Sequence, residues 1–169
     1  MMPLGPGFVA LEIGCGRGAG AGIVLREFRP SWIYASDVDT DMLRKATGYL
    51  PAYERNKLTL LAADVSHLPV KSAALDAVFG FGVIHHVLDW HSSIAEISRV
   101  LKPGGVYFLE ELYPSLYQNF ITKHILLHPT ENRFRSMDLR NALDEAGLHL
   151  TDSIEFKALG ILGAAVKEV

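Results

Sequence analysis

The chain has 169 residues, of which 49% are hydrophobic and 21% are charged, and its formal net charge is −3. This composition is typical of one compact domain, expected to span residues 1–169, and it excludes a disordered chain. The charge gives no electrostatic footprint for nucleic acid, and the longest apolar stretch is broken by Asp76 and too short for a membrane span. The single cysteine, Cys15, excludes an internal disulfide, so we expect a cytoplasmic protein.

The first predicted strand, at 9–13, leads into a glycine-rich turn at 14–18 and then a helix to residue 28. Glycines permit positive φ and let a ligand approach the backbone, and the helix N-terminus behind them offers free N–H groups. The turn therefore predicts a polar or anionic, nucleotide-like cofactor. Alone it also fits the dinucleotide fingerprint, so a nicotinamide cofactor stays open at this point.

Apolar strands and helical patterns alternate along the rest of the chain. Further strands are predicted at 32–36, 58–62, 74–79, 106–109, 148–156 and 161–166. Further helices are predicted to be capped by Asp39 or Thr40, by Ser92 or Ser93, and by Ser136, with Gly147 as a left-handed C-terminal cap. Such alternation predicts an α/β fold with a mostly parallel sheet. Residues 112–135 have the least regular pattern and are predicted to be a functional insertion in the substrate region.

Two carboxylates follow neighbouring strands of this predicted sheet. Asp37 lies about 20 residues after Gly18, which is the spacing of an acid that binds the ribose of a nucleotide. Asp64 follows the next strand and either accepts a hydrogen bond from an adenine amine or is a solvated turn residue. In parallel sheets the carboxyl ends of strands share one edge, so both carboxylates are expected near the glycine turn.

The glycine turn and several later segments together resemble one family. Leu11-Glu12-Ile13-Gly14-Cys15-Gly16-Arg17-Gly18 is similar to motif I of class I S-adenosylmethionine-dependent methyltransferases. Segments 34–43, 63–69 and 75–78 resemble the family's ribose-binding, adenine-binding and fourth-strand segments. Segments 83–87 and 99–105 match the type 11 group, near the ubiquinone and menaquinone biosynthesis enzymes. The resemblance covers residues 9–111 and makes the nicotinamide cofactor a minor alternative.

The resemblance implies a doubly wound, Rossmann-like fold with seven strands, the last of them antiparallel, and helices on both faces. It implies S-adenosylmethionine as cofactor, S-adenosylhomocysteine as product and a small-molecule methyl acceptor. It also implies a set of cofactor-binding residues: Glu12, Gly14, Cys15, Gly16, Gly18, Asp37, Val38, Met42, Ala63, Asp64, Val65, Gly80 and Phe81. In that set Glu12 holds the amino end, Asp37 holds the ribose and Val38 lies against the adenine.

The residues that follow the fourth strand are candidates for the acceptor side. His85 is predicted to act as a base or to orient the acceptor, since histidine titrates near neutral pH. The alternative is a histidine packed under the following helix. One of Glu110 and Glu111 is expected to face the acceptor, and the pattern does not choose between them.

Further side chains are predicted for the substrate region. These are His86, Tyr113, Tyr117 and Phe120, although aromatic residues at such spacing also occur simply as packing residues. No metal site is predicted, because neither His85, His86 and His91 nor the pair His124 and His128 has the partners of a zinc pattern.

Two alternatives to a self-contained methyltransferase remain: a nicotinamide-dependent oxidoreductase, and a non-catalytic cofactor-binding subunit. The second is motivated by the first strand, which is predicted only eight residues into the sequence. Helices that would cover the substrate site are not predicted before it, so a homodimer or a partner chain that covers the site is the corresponding expectation.

Overall fold

The computed structural model describes residues 4–117, 131–156 and 159–169. Their strands form one seven-stranded sheet. The strands are β1 (Val9–Ile13), β2 (Trp32–Asp37), β3 (Leu58–Ala62), β4 (Leu75–Phe81), β5 (Leu101–Leu112), β6 (Leu148–Phe156) and β7 (Gly160–Lys167). Their order across the sheet is β3-β2-β1-β4-β5-β7-β6. Strands β1 to β5 pair in parallel, whereas β7 runs antiparallel to both of its neighbours. The predicted fold class, including its antiparallel last strand, is confirmed.

Helices and short helical turns connect the strands. They are α1 (Ala19–Ile23), a π-helical turn (Val24–Phe28), α2 (Thr40–Tyr49), α3 (Ala52–Arg55), a 3-10 turn (Ile84–His86), α4 (Trp90–Val100), α5 (Pro114–Tyr117) and α6 (Ser136–Glu145). The Asp39 carboxylate caps α2 by accepting hydrogen bonds from the N–H groups of Asp41 and Met42. Gly147 has a φ of 70° after α6, which confirms its left-handed cap.

Four differences from the predicted boundaries are larger than a shift of one or two residues at a strand end, or change the type or cap of a helix. The first helix changes to π geometry at Val24–Phe28, where the N–H of Arg29 donates to the carbonyl of Val24. Helix α4 begins earlier than predicted, because its cap is Asp89, three or four residues before the predicted serines. The segment 102–105 belongs to β5 as an irregularity in its pairing with β4. Ser136 opens α6 without capping it, and Asp138 instead accepts from the N–H of Arg135.

Buried apolar side chains cover both faces of the sheet around β1 and β4. One core packs β-strand residues such as Leu11 and Val78 against Ile94 of α4 and Leu139 of α6. The other packs Phe79 and Ile33 against Ala21 and Val24 of the first helix and Leu43 of α2. Burial of each leucine-sized side chain contributes roughly 1.5–3 kcal/mol, so these cores rigidly fix the carboxyl ends of β1, β2 and β4.

The sheet order reverses beside β1, since the chain builds outward to β3 on one side and then returns to β4 on the other. In open α/β sheets ligands bind outside the carboxyl ends of the strands at such a switch point. The loops after β1, β2, β3 and β4 meet there. None of the described helices is long and apolar enough to cross a membrane.

Candidate functional site

The glycine turn after β1 has left-handed backbone at three positions: φ is 60° at Gly14, 52° at Gly16 and 83° at Gly18. It is tied to the end of β2, because the N–H of Cys15 donates to the carbonyl of Ser36 at 2.8 Å. A side chain at Gly16 would meet no heavy atom within 4 Å, so the space outside this residue is open. A ligand can therefore approach the Gly16 backbone directly.

The Asp37 carboxylate lies at the end of β2 and faces this turn. Its Oδ2 accepts the N–H of Gly16 at 2.8 Å, and its Oδ1 accepts the N–H of Asp39 at 2.8 Å. An ionised carboxylate offers about four acceptor sites, two on each oxygen. Each oxygen of Asp37 thus keeps one more site, which suits a pair of adjacent hydroxyls such as those of a ribose.

Glu12 is 2% exposed at the end of β1, and its Oε2 has no hydrogen-bond partner among the residues that the structure describes. Burial raises the pKa of this carboxyl to about 8, with a smaller opposing effect of the N–H of Ala21 and a further small rise from the nearby Asp37. A buried acceptor without a partner is costly, and a cationic ligand group would relieve that cost. This site therefore fits the ammonium group of the predicted cofactor.

Gly20 is the residue that makes room for Glu12. A Cβ at this position would lie 1.9 Å from Oε1 of Glu12 and 2.8 Å from Cδ2 of Phe81. Gly20 is not among the residues predicted to bind the cofactor, so its link to this site was missed. Its one signal is that glycine in a helix interior costs up to about 1 kcal/mol relative to alanine and needs a reason.

Two predicted cofactor glycines have their open side filled by protein. A Cβ at Gly18 would lie 3.0 Å from Cδ1 of Leu50 and 3.2 Å from Cβ of Ala46, so Gly18 lets α2 pack closely. A Cβ at Gly80 would lie 3.0 Å from the hydroxyl of Tyr107. At these two positions only the backbone is available to a cofactor.

The residues predicted for the adenine lie beside the loops after β2 and β3. Val38 is 76% exposed, which is unusual for valine and leaves an apolar surface next to Asp37. Met42 is half-buried in the first turn of α2. Val65 is buried in the core, so its backbone and not its side chain is available to a ligand.

Asp64 is an exposed turn residue, and its predicted contact with the adenine stays a prediction. Its Oδ1 accepts the N–H of Ser66 at 2.9 Å and the Ser66 hydroxyl at 2.7 Å, and these two bonds lower the pKa of the Asp64 carboxyl. The carboxylate is exposed beside the half-buried Ala63. It therefore shapes the turn and is also accessible at the edge where the adenine is predicted.

His85 belongs to the loop that follows β4. Its side chain is 2% exposed, and its Nδ1–H donates to Oε2 of Glu111 at 2.7 Å. The geometry corresponds to the packed histidine that was the alternative to a base in contact with the acceptor. Glu111 is 1% exposed on the same side of β5, so it is Glu110, half-buried on the other side, that is the more accessible of the two carboxylates.

The other acceptor-side predictions separate in space. His86 is exposed next to His85, with the ring centroids 4.4 Å apart. Tyr113 is 2% exposed, and its hydroxyl donates to Oε1 of Glu155 at 2.8 Å. Tyr113 is thus a core residue of the described structure. The side chain of Tyr117 and all of Phe120 lie outside the described residues.

Cys15 is buried, and burial raises the pKa of its thiol to about 12, which supports its reading as a small turn residue over a nucleophile. Within residues 4–117, 131–156 and 159–169, no group of three or more histidine, cysteine or acidic side chains could hold a metal ion. His124 and His128 lie outside the described residues.

Comparison with known proteins adds to this geometry. The family model described as a methyltransferase domain, type 11, matches residues 11–109, more than half of the chain. The chain belongs to this methyltransferase family. The match begins within β1, contains the glycine turn and β2 to β4, and ends within β5 before Glu110.

This methyltransferase domain is also similar to individual curated proteins. It is 29% identical over 146 residues to the malonyl-[acyl-carrier protein] O-methyltransferase of a Methylovorus species. That match covers 82% of this chain and 49% of the relative, so the chain spans about half the length of the curated protein.

Solved structures share the fold. One is phosphoethanolamine N-methyltransferase 2 of Haemonchus contortus in complex with S-adenosyl-L-methionine, with a TM-score of 0.83, 17% identity, and coverage of 99% of this chain and 50% of that one. Another is a Haloferax volcanii chain in complex with the Trm112 methyltransferase activator, with a TM-score of 0.82, 20% identity, and coverage of 99% and 86%. The predicted family and the prediction of S-adenosylmethionine as cofactor are confirmed.

Proposed function

We propose that this methyltransferase domain binds S-adenosylmethionine across the ends of β1 and β2 and directs methyl transfer to a small-molecule acceptor. The observation that supports this best is the pair of carboxylates on either side of the glycine turn. Asp37 keeps two acceptor sites for a diol, while Glu12 presents a buried oxygen with no partner in the described part of the chain. S-adenosylmethionine carries a ribose diol and an ammonium group. Asp37 would accept hydrogen bonds from the diol, and Glu12 would accept them from the ammonium group.

The proposal assigns each residue a role in binding and orientation. Glu12 would hold the ammonium group, Asp37 the ribose hydroxyls and Val38 one face of the adenine. Asp64 and the backbone of Val65 would meet the adenine edge. When bound, the cofactor supplies an electrophilic methyl carbon, so the chain chiefly has to position an acceptor and exclude water.

The acceptor would lie beyond the ends of β4 and β5. Phe81 and Glu110 are neighbours in the β4–β5 register and are both half-buried at this edge. The Methylovorus relative is an O-methyltransferase, which supports an oxygen acceptor here as well. His85 is given no proton transfer in this proposal, because its ring is buried and bonded to Glu111. A cytoplasmic location stays a prediction from the single cysteine.

Calorimetric titration with S-adenosylhomocysteine tests the proposal, with NAD titrated in parallel. We expect a Kd in the micromolar range for S-adenosylhomocysteine and no heat of binding for NAD. Binding of NAD alone would contradict the proposed cofactor. If S-adenosylhomocysteine binds, candidate acceptors can then be screened for turnover.

A second proposal concerns a partner chain. On the sheet face beside α1, the strands β6 and β7 expose Ile154, Phe156 and Leu162, by 59%, 61% and 50%. A cavity of about 270 Å³ is bordered by Ile154 and Leu162 together with Phe28 and Phe81. Sheets of this kind are normally covered on both faces, so we propose that another chain covers this surface. The Haloferax structural neighbour, which is bound to an activator, supports such an arrangement.

Light scattering coupled to size-exclusion chromatography tests whether the chain that covers this surface is a second copy of the protein. The protein has a mass of 18.6 kDa, so a dimer should elute at about 37 kDa. Leu162→Asp should return it to 18.6 kDa, whereas Val169→Asp, at the exposed C-terminus, should not. A monomeric unmodified protein that binds S-adenosylhomocysteine fully would contradict self-association.

A further inference from the structure

The loop between β4 and α4, residues 82–89, is hydrogen-bonded to the Glu111 carboxylate of β5. Oε1 of this carboxylate accepts the N–H groups of Ile84 at 2.9 Å and Val83 at 3.3 Å. Oε2 accepts the N–H of His85 at 3.1 Å and the Nδ1–H of the same residue at 2.7 Å. One buried carboxylate thus binds every consecutive N–H group of the turn from 83 to 85.

The same loop is held from the other side by the segment that precedes α6. The guanidinium of Arg133 donates to the carbonyl oxygens of His85 and Val87, the latter at 3.2 Å. Its neighbour Asn132 donates to the carbonyl of Leu88 at 2.7 Å. Glu111 therefore accepts hydrogen bonds from the N–H groups of the loop, while Asn132 and Arg133 donate to its carbonyl oxygens.

The loop is in direct contact with the cofactor turn. A Cβ at Gly14 would lie 2.6 Å from Cγ2 and 2.8 Å from Cγ1 of Val83, so the Val83 side chain packs closely against the Gly14 backbone. Because the Val83 N–H is bonded to Glu111, the position of this side chain depends on the carboxylate. A displacement of the loop would be transmitted to the glycine turn.

We propose that Glu111 and Arg133 are positioning residues that together clamp the loop 82–89 against the glycine turn. The clamp connects the end of the segment 112–135, where the acceptor is predicted to bind, to the turn that holds the cofactor. This inference rests on the proposed function of the same site and deepens it. Neither residue touches the cofactor in this proposal; both act through Val83 and Gly14.

General energetics favour a positioning role over a purely stabilising one. Burial of a carboxylate costs solvation, and replacement of a whole buried charged pair by apolar side chains of similar volume is often neutral or stabilising. The four hydrogen bonds at Glu111 are directional and all end on one turn. They select one loop geometry, which general apolar packing would not do.

A double-mutant cycle on S-adenosylhomocysteine binding tests the clamp. Glu111→Gln keeps the side-chain shape but presents an NH2 group to the donors of His85, and Arg133→Gln removes the bridge to two carbonyls. We expect each substitution to raise the Kd about tenfold, the effect of losing one or two charge-assisted hydrogen bonds. The double variant should bind no more than about twofold more weakly than either single variant, since both release the same loop.

Matched controls separate this effect from general damage. Asp76→Asn alters a carboxylate that accepts from the N–H of Val9 and from Lys102, both at the opposite edge of the sheet. Arg135→Gln removes an exposed charge two residues from Arg133. Both controls should keep the Kd within twofold. Effects of Glu111→Gln and Arg133→Gln that multiply in the double variant would overturn the clamp.

Amide hydrogen exchange of the unliganded protein keeps the clamp and the proposed function distinguishable. The amides of residues 83–85 should exchange slowly in the unmodified protein and at least tenfold faster in Glu111→Gln, with the exchange of β1 and β4 unchanged. Unchanged exchange at 83–85 would overturn the clamp whether or not the cofactor binds. Failure of the unmodified protein to bind S-adenosylhomocysteine would overturn the proposed function, and the exchange data would still decide the clamp.

Discussion

Asp37→Ala should raise the Kd for S-adenosylhomocysteine about 100-fold, the largest effect on binding that we expect from a single substitution in this chain. Two losses combine: the acceptor for the ribose hydroxyls, and the anchor of the Gly16 N–H, which Asp37 holds at 2.8 Å. Hydrogen bonds to a charged group contribute roughly 1.5–3 kcal/mol each, which covers a factor of 100. Isothermal titration calorimetry with the purified variant measures this directly.

Asp39→Ala is the matched control for Asp37→Ala. Asp39 is an aspartate two residues further along the same loop, but its Oδ1 caps α2 through the N–H groups of Asp41 and Met42. Loss of such a cap costs about 1 kcal/mol of stability, so Asp39→Ala should lower the melting temperature while the Kd changes less than threefold. Equal effects of the two substitutions on the Kd would argue against the ribose role of Asp37.

Glu12 should make cofactor binding strongly dependent on pH. The pKa of this carboxyl is about 8 in the unliganded protein, so it is mostly protonated at pH 7. The ammonium group of the cofactor should ionise it, and binding below pH 8 would then release a proton. The Kd should therefore fall by up to tenfold per pH unit between pH 6 and 8 and level off above pH 8. Calorimetry at pH 7 in two buffers with different heats of ionisation should show close to one proton released.

Glu12→Gln should weaken binding and remove this pH dependence, while Glu27→Gln, at an exposed position of the first helix, should preserve both. Stability gives an independent check. Because the folded pKa lies above the ordinary 4.5, the folded protein binds more protons than the unfolded chain between pH 4.5 and 8. The unliganded protein should lose stability as pH rises through this range, and Glu12→Gln should not. A flat Kd from pH 6 to 8 in the unmodified protein would rule out the proposed ionisation.

Local patterns in the sequence predict most of the sheet. The strand bounds of β1, β3 and β6 match their predictions, since apolar runs between turn residues are local signals. The Asp39 cap and the left-handed Gly147 are equally local, because each depends on side-chain or backbone chemistry within three residues. The π-helical turn at Val24–Phe28 was not predictable in this way. Phe28 packs on Phe79 and Phe108, with ring centroids 4.9 Å and 5.3 Å apart, and both partners are more than 50 residues away.

The candidate site likewise contains residues that local signals predict and residues that only the fold brings together. The positions of Asp37 and Glu12 follow from strand ends and spacing: Asp37 accepts the N–H of Gly16 in the glycine turn, and Glu12 lies beside Gly20 of the following helix. The sequence did not choose between Glu110 and Glu111, because side-chain alternation alone leaves open which side of β5 faces the following loop. Arg133 was missed altogether, since its partners at His85 and Val87 are nearly 50 residues earlier in the chain. Only the folded structure brings such pairs together.

The burial of Cys15 has a practical consequence for spectroscopy. This thiol is the sole one in the chain, it is buried within the glycine turn, and its pKa of about 12 keeps it in the unreactive thiol form at neutral pH. The protein therefore behaves toward maleimide reagents as if it contained no cysteine. A cysteine introduced at Leu88, 62% exposed on the loop 82–89, would accept a fluorophore selectively and report loop movement in real time without any background substitution.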